Sequence, residues 1–278
     1  MATANYPAVR ARRRRRPGWL AHQLRILRVI ATVEFKLKYA DSVLGYAWSL
    51  AKPLAYFGVI YLVFGHFIKI AAAVDNFALH LFLGLVLYTF FTDAVGLMLP
   101  SIATRGSILR RMAFEPLVIP ISVSVTAAIT LLVNLAAVAV FVGGSRVVPE
   151  LDWVLVLPLL AELYLFVLGI GLIVTTLFIR FHDVAQLWEL TAQLMIFASP
   201  VMYPISIFPG WAQKIVFLNP FVQVMQDMRA LILGQTGTAA TAYGTSFGRL
   251  LPIGVTFLVL LGGLALFRRD APYFAERV

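Results

Sequence analysis

Four charged residues, Lys52, Asp93, Glu162 and Glu189, lie within or near long apolar stretches of this sequence. Ionisable side chains are costly at membrane depth, and they commonly belong to proton or ion pathways. The three acids could therefore act as proton relays in a carrier. They share no common spacing, however, and the two halves of the chain show no clear inverted repeat. Pairing with basic groups, or a position near helix ends, is the simpler interpretation.

Motifs that would bind a nucleotide or a catalytic metal are missing. A phosphate-binding loop needs a Gly-Lys pair, and the sequence has none. It has no H-E-x-x-H or Asp-x-Asp pattern, and its four histidines, His22, His66, His80 and His182, are too scattered for a helix-spaced metal pair. We therefore expect no catalytic residue, no metal and no cofactor in this chain.

The composition indicates an integral membrane protein. Of 278 residues, 61% are hydrophobic and only 13% are charged, whereas soluble domains have about 25% charged residues. The mean hydropathy is +0.88. There is no cysteine, which excludes disulfides, thiolate metal sites and cysteine nucleophiles.

The net charge of +10 is concentrated near the N-terminus, where Arg12 to Arg16 form a run. Such a run could suggest nucleic-acid binding or a transit peptide. We interpret residues 1–18 as a disordered cytoplasmic arm that contacts anionic lipid headgroups and sets the orientation of the chain. No nucleic-acid partner is expected.

Residues 19–40 are predicted to form an amphipathic helix that lies in the membrane interface. At 100° per residue, one face holds Leu20, Leu24, Leu27, Ile30, Ala31 and Leu37. The other face holds His22, Arg25, Arg28, Thr32 and Lys36. Glu34 falls inside the apolar arc, which suggests a turn or a pairing with another helix.

The fold class is predicted to be all-α with six membrane spans. Each span needs about 20 mostly apolar residues, and the segments that meet this requirement are 48–69, 77–103, 116–142, 153–179, 184–203 and 248–267. They form a domain over residues 41–267, followed by a tail over residues 268–278.

The basic residues indicate the orientation of the chain. With the N-terminus in the cytoplasm, the cytoplasmic side receives the arm and Arg105, Arg110, Arg111, Arg180, Arg268, Arg269 and Arg277. The outer side receives only Lys69, Arg146, Lys214, Arg229 and Arg249. This asymmetry predicts cytoplasmic termini.

Aromatic residues near several spans are candidates for a channel wall. They are Tyr46, Trp48, Tyr56, Phe57, Tyr88, Phe90, Phe91, Phe197 and Tyr203. Aromatic planes contact the C–H faces of sugars without holding them tightly, as a moving polymer requires. Membrane interface belts and contact with lipid are the simpler interpretation of many of them.

The loop over residues 104–115, TRGSILRRMAFE, mixes cations with large apolar side chains. We predict a short amphipathic helix that docks a cytoplasmic partner, and the alternative is a helix that rests on lipid headgroups. The docking candidates are Arg105, Ile108, Leu109, Arg110, Arg111, Met112 and Phe114.

Residues 194–221, LMIFASPVMYPISIFPGWAQKIVFLNPF, are apolar but contain four prolines. Proline removes a backbone donor and breaks a helix. We expect the fifth span to break near its outer end and two short re-entrant helices to follow, because irregular backbone at membrane depth must be buried in protein or face a cavity. The proposed gate residues are Pro200, Pro204, Trp211, Phe217 and Phe221.

Three stretches together resemble the membrane subunit of ABC-2-type exporters, in particular the permeases for O-antigens, capsules, teichoic acids and wall galactans. They are LKYADSVLGYAWSLAKPLAY (37–56), GLVLYTFF…SILRRMAFEPLVIP (84–120) and FIRFHDVAQLWELTAQLMIFASPVMYPISIFPG…LNP (178–220). The resemblance covers most of residues 19–267.

This resemblance implies a homodimer in the bacterial plasma (inner) membrane, with a channel at the two-fold axis. Two copies of a cytoplasmic ATP-binding-cassette subunit would dock on residues 105–114 and carry ATP and Mg. The substrate would be a polyprenyl-pyrophosphate-linked polysaccharide. Its pyrophosphate would lie near Arg25, Arg28, Lys36 and Lys38.

Three other functions stay open from the sequence. The chain could belong to an ABC-2 exporter of a drug or small lipid, or it could be a proton-coupled carrier. A membrane glycosyltransferase is disfavoured by the missing metal-binding acids.

Overall fold

The computed structural model of the chain describes residues 19–37, 47–67, 74–106, 115–145, 147–148 and 150–274. These residues form helices and turns, with no β-strand in the described ranges. The α-helices are α1 (Trp19–Leu37), α2 (Trp48–Tyr61), α3 (Phe77–Met98), α4 (Val118–Gly143), α5 (Val156–Arg180), α6 (Val184–Ala198), α7 (Gly210–Val216), α8 (Pro220–Leu233), α9 (Ala239–Tyr243) and α10 (Leu250–Asp270). A π-helical turn, Leu62–Phe67, continues α2.

Five helical stretches are long and apolar enough to cross a membrane. They are Trp48–Phe67, Phe77–Met98, Val118–Gly143, Leu151–Arg180 and Phe247–Tyr273. The remaining predicted span, 184–203, contains α6, whose 15 residues end at Ala198. At 1.5 Å per residue this helix is about 22 Å long, which is shorter than a hydrocarbon core of about 30 Å. The chain is thus a multi-pass membrane protein, and the count of six spans stays a prediction.

The prolines explain why the helices after α6 are short. Ser199, Phe208 and Asn219 each precede a proline, and all three have extended backbone, with φ/ψ of −98°/143°, −78°/138° and −79°/113°. A proline ring clashes with a helical conformation of the residue before it. The chain is therefore interrupted three times between residues 199 and 219.

The ends of α8 are fixed by local chemistry. The Asn219 side chain accepts a 3.0 Å hydrogen bond from the Phe221 amide, and Pro220 occupies the first turn, where no helical hydrogen bond is lost. Gly234 ends the helix with φ +68°, a conformation that favours glycine. Two short helices, α7 and α8, therefore occupy the region where the sequence predicts gate helices.

Helix α3 lies at the centre of the bundle, and apolar residues cover most of its circumference, as expected of a buried helix. Helix α5 packs against α3, and α10 packs very closely on α5. A Cβ placed on Gly169 would lie only 2.8 Å from the Leu260 Cα, so this crossing depends on a residue without a side chain. Small residues permit such close approach between membrane helices.

Helix α1 packs against α4. The Thr126 hydroxyl donates a hydrogen bond of 3.3 Å to the Ala31 carbonyl, and Ala31 is buried. Glu34 forms an ion pair with Arg105, just after α3. The pairing suggested for Glu34 by its position on the apolar arc is therefore confirmed.

The first residues of the predicted C-terminal tail continue the last helix. Helix α10 extends to Asp270, and a 3-10 turn, Ala271–Tyr273, follows. Phe274 is buried against Phe267, with ring centroids 5.0 Å apart. The Arg180 guanidinium on α5 also binds the Asp270 carboxylate at 2.6 Å. These contacts hold the end of α10 against the bundle.

Candidate functional site

Two cavities, of about 480 and 580 Å³, lie between α2, α3 and neighbouring helices. They share Lys52, Pro53, Tyr56, Thr89 and Asp93 in their linings. We call the combined space the central cavity pair. The smaller cavity reaches α4 through Thr130 and Asn134, and the larger reaches α6.

Each of three helices contributes polar side chains at helical spacing. Lys52 and Tyr56 are four residues apart on α2, as are Thr89 and Asp93 on α3 and Glu189 and Gln193 on α6. Residues at i and i+4 share a helix face, so each helix directs one polar face towards the same space. This recurrence in otherwise apolar helices is a sequence signal for the site, and it is visible only when each charged residue is considered with the polar residue four positions away.

The central cavity pair brings together three of the four intramembrane charged residues. Lys52, Asp93 and Glu189 all line the larger cavity. No ion pair within 4 Å joins Lys52 to either acid in the described part of the chain. Glu162 does not line either cavity. An aqueous path through this region would therefore meet both signs of charge.

A hydrogen bond ties two walls of the larger cavity to each other. The Tyr88 hydroxyl on α3 donates to the Ala192 carbonyl on α6 at 2.6 Å. Helix α6 buries only Ile196 well, so this bond is one of its few close links to the bundle.

The structure separates the predicted channel aromatics into two groups. Trp48, Tyr56, Tyr88 and Phe197 line the central cavity pair. Trp48, Tyr56 and Phe197 are also more than half exposed. Their side chains are placed where a passing ligand could touch them.

The other channel candidates point elsewhere or are not described. Phe90 and Phe91 are buried in the core, and Phe57 packs on Phe82 with ring centroids 5.2 Å apart. Tyr203 donates its hydroxyl hydrogen bond to the Phe197 carbonyl. Tyr46 lies outside the described residues.

The predicted docking and headgroup residues are described only in part. Arg105 binds Glu34 and donates a 3.0 Å hydrogen bond to the Ser101 carbonyl. The other docking candidates, Ile108, Leu109, Arg110, Arg111, Met112 and Phe114, lie outside the described residues, as does Lys38. The headgroup candidates Arg25, Arg28 and Lys36 are exposed along α1.

The predicted gate residues differ in exposure. Trp211 on α7 is 69% exposed, whereas Phe217 and Phe221 are fully buried. Phe221 packs on Phe91 with centroids 5.5 Å apart. Phe221 therefore anchors α8 to α3, Phe217 lies in the apolar core at the end of α7, and Trp211 is exposed.

Arg229 on α8 fixes the start of the proline-rich segment. Its side chain is 0% exposed, and its guanidinium donates to the carbonyls of His80, Pro200 and Val201 at 2.7 to 3.2 Å. The sequence placed this residue among loop cations on the outer side and gave it no structural role. An arginine within the apolar run VQVMQDMRALIL was the signal available.

A second polar cluster lies nearby on α8. Asp227 accepts a 2.8 Å hydrogen bond from Gln223 Nε2 and forms a 3.1 Å ion pair with Arg249 Nε. It joins α8 to the start of α10, because Arg249 immediately precedes that helix. Like the Arg229 contacts, it holds the short helices to the spanning ones.

Residues 244–248 read GTSFG and match the spacing of a nucleophile elbow. That motif requires a strand, a sharp turn and a helix, with the serine raised at the turn. Here α9 precedes the segment, and Ser246 begins a 3-10 turn, Ser246–Arg249. The described residues around this segment therefore do not have the strand, turn and helix of that motif.

Comparisons with known proteins agree with this architecture. The family described as ABC-2 type transporter matches residues 25–233. An O-antigen export system permease protein RfbA of Klebsiella pneumoniae is 27% identical over 258 residues, which cover 92% of this chain and 96% of that protein. A protein of the same name from Myxococcus xanthus is 28% identical over 202 residues, covering 71% of this chain and 76% of the relative. The match to the family spans all the helices that line the central cavity pair, and the chain belongs to the ABC-2 type transporter family.

Proposed function

We propose that this chain is the permease subunit of an exporter that moves a polyprenyl-pyrophosphate-linked polysaccharide, such as an O-antigen or a wall galactan, across the bacterial inner membrane. Both termini lie in the cytoplasm and six segments span the membrane. The observation that carries the proposal is the similarity to O-antigen export permeases over nearly the whole of both chains.

The central cavity pair supports a glycan as the cargo. Its lining combines aromatic side chains with hydroxyl and amide groups, among them Tyr56, Thr89 and Gln193. Such groups offer a sugar both apolar contact and hydrogen bonds, without a single deep site that would trap it.

A homodimer is the assembly that we propose, with α2 and α6 facing the partner. Only 11% of the apolar window of Trp48–Phe67 is buried, compared with 67% for α3. Val59, Leu190 and Leu194 are all more than half exposed. A second copy placed against these helices would enclose the central cavity pair from its open side.

ATP hydrolysis is assigned to a separate cytoplasmic subunit, present in two copies. This chain has no Gly-Lys pair with which to hold a nucleotide phosphate. The partner would dock on the segment 105–114 and drive the permease from the cytoplasmic side.

Depletion of the protein in its host tests the proposal. We expect polyprenyl-linked glycan to accumulate on the cytoplasmic face of the membrane, and re-expression to restore export. The measurement is the amount of lipid-linked glycan in inverted and right-side-out vesicles. A change in drug resistance or lipid distribution with normal glycan export would contradict the proposal and favour an exporter of small molecules.

A further inference from the structure

A third cavity, of about 550 Å³, lies where α3 begins and α8 ends. Its wall is formed by residues 74–75 before α3, by the turn after Pro204, by Gln213 of α7, and by α8 with the loop that follows it. We call it the terminal cavity. In the proposed topology it opens on the outer side of the membrane.

The lining of the terminal cavity is polar and nearly uncharged. It contains three glutamine amides and three hydroxyl groups, and its only charged side chain among the described residues is Asp75. The amides belong to Gln213, Gln226 and Gln235, and the hydroxyl groups belong to Ser206, Thr236 and Thr241. An anionic ligand would find no opposite charge in this lining.

Two amide donors in this lining have no hydrogen-bond partner among the described residues. Gln226 is 2% exposed, and its Nε2 has no partner among the described residues. Gln235 accepts a 2.9 Å hydrogen bond from His80 Nδ1 through Oε1, and its Nε2 likewise has no partner in the described part of the chain. Buried donors without acceptors are unfavourable and rare in native proteins. Both glutamines line the terminal cavity, so a ligand with hydroxyl groups would bring acceptors next to both side chains.

The rim of the cavity is held in place before any ligand arrives. The single Thr241 hydroxyl hydrogen is shared between the carbonyls of Thr236 and Thr238, which lie 3.0 and 2.7 Å from the hydroxyl oxygen. The turn is glycine-dependent, since Gly234 has φ +68° and a Cβ on Gly237 would collide with Ile205. A preformed rim reduces the ordering cost of binding.

We propose that the terminal cavity binds one neutral saccharide unit of the exported glycan. This inference rests on the proposed function. Each sugar hydroxyl both donates and accepts, so it can pair with an amide Nε2, with an amide Oε1 and with the Asp75 carboxylate. The volume lies within the range of about 300–1,000 Å³ typical of small-molecule sites.

The site would couple the glycan to the proline-rich segment. Pro204, Ile205 and Ser206 form part of the lining, and they lie shortly after the carbonyls of Pro200 and Val201 that Arg229 holds. A saccharide bound in the terminal cavity would touch both α8 and the proline-rich segment while the glycan leaves the permease.

Saturation-transfer NMR on the permease–ATPase complex in nanodiscs tests the site. The probes are the methyl glycosides of glucose, galactose and mannose, with glucose 6-phosphate and glucuronate as anionic comparisons. We expect transfer to at least one neutral glycoside and none to the anions. The Gln226→Leu variant should bind that neutral glycoside with an apparent affinity about tenfold weaker, because one hydrogen bond to the sugar is lost.

Two further variants separate loss of binding from misfolding. Thr236→Val removes a hydroxyl from the exposed rim, where folding should tolerate it, and it should also weaken binding. Gln186→Leu changes a glutamine that lines none of the three cavities, and it should bind as the unchanged protein does. No transfer to any neutral glycoside, or equal transfer in Gln226→Leu and Thr236→Val and the unchanged protein, overturns the site.

The same variants in depleted cells distinguish this inference from the function on which it rests. If depletion blocks glycan export but the complex binds no glycoside, the saccharide site is wrong and the proposed function stands. If depletion leaves glycan export normal, the proposed function itself is wrong, whatever the NMR result.

Discussion

Arg229 is a charged residue whose hydrogen-bond partners are all neutral. Its guanidinium makes four hydrogen bonds to three backbone carbonyls and is fully buried. Those carbonyls lie at the start of α3 and just after α6, where Pro200 interrupts the helical pattern. A single side chain thus replaces the helical hydrogen bonds that the proline-containing turn cannot make.

We predict that Arg229→Met destabilises the protein by about 3 kcal/mol, because it leaves the buried carbonyls of Pro200 and Val201 without the guanidinium donor. The measurement is the unfolding free energy in detergent micelles under denaturant. Arg268→Met, on the exposed end of α10, is the matched control and should change stability little. Equal stability of both variants would show that the Arg229 contacts contribute nothing.

Asp93 and Glu189 share the larger cavity with Lys52, and this arrangement would suit either a polar passage or a proton relay. Under the proposed function, transport in proteoliposomes with the ATPase subunit should require ATP. Collapse of the proton gradient should not change it, either in the unchanged protein or in Asp93→Asn and Glu189→Gln. Transport that follows the gradient and disappears in Asp93→Asn would identify a proton-coupled carrier instead.

At the scale of elements, the crossing of α5 and α10 shows how close packing depends on absent side chains. At this crossing Gly263 faces the backbone of Gly169, and Gly169 faces the backbone of Leu260. Without side chains between them, the two helices come near enough for van der Waals attraction along their backbones. That attraction drives helix association where the surrounding lipid is as apolar as the helices themselves.

Gly169→Ala is predicted to destabilise the protein by about 1–3 kcal/mol, because the new Cβ meets the backbone of Leu260 and forces the helices apart. Gly262→Ala is the control, since nothing lies within 4 Å of its Cβ position. Alanine also favours helix over glycine by about 0.8–1 kcal/mol. Thermal unfolding in micelles should therefore separate the two variants, and a Gly169→Ala protein as stable as Gly262→Ala would refute the packing argument.

At the scale of the whole molecule, the described bundle is covered unevenly. Helix α3 is enclosed on most sides, whereas α2 and α6 expose large apolar residues beside the polar central cavity pair. Lipid alone could cover the apolar residues, but it would also face Lys52, Asp93 and Glu189. In the proposed homodimer a second copy would remove that conflict, because the charged groups would line a shared space between protomers.

The absence of cysteine permits a clean test of the dimer. Single substitutions Val59→Cys on α2 and Leu190→Cys on α6 should give covalent dimers with a short bismaleimide in membranes. Leu258→Cys, similarly exposed but on α10, should remain monomeric on denaturing gels. Crosslinking through Leu258→Cys alone would place the interface elsewhere.

Coupling to the ATPase is predicted to depend on the segment 105–114. Leu109→Asp and Phe114→Asp should uncouple ATP hydrolysis from transport, because charged residues would remove the apolar docking surface. The measurements are copurification of the ATPase subunit and transport per ATP hydrolysed. Normal binding and normal coupling in both variants would refute the assignment.

The sequence by itself determined the class of this protein and much of its layout. The composition indicated a membrane protein, and long apolar runs predicted the positions of five helices that are long enough to span a membrane. Each proline acts on its immediate neighbour, so the breaks at Ser199, Phe208 and Asn219 followed from local sterics. The position of Glu34 on an apolar arc suggested a turn or a pairing with another helix, and the structure shows an ion pair with Arg105, in the 3-10 turn after α3.

Only the tertiary structure decided which side chains meet. Phe90 and Phe91 are as aromatic as Tyr88, yet they face the core while Tyr88 lines a cavity. In the sequence Arg229 resembles a loop cation, but in the fold α3 and the turn at Pro200 bury it. The terminal cavity is lined by residues from positions 74 to 241, which are distant in sequence. Local patterns report the preference of a residue for a helix or a break. Burial and partnership depend instead on segments distant in sequence, whose packing no local pattern records.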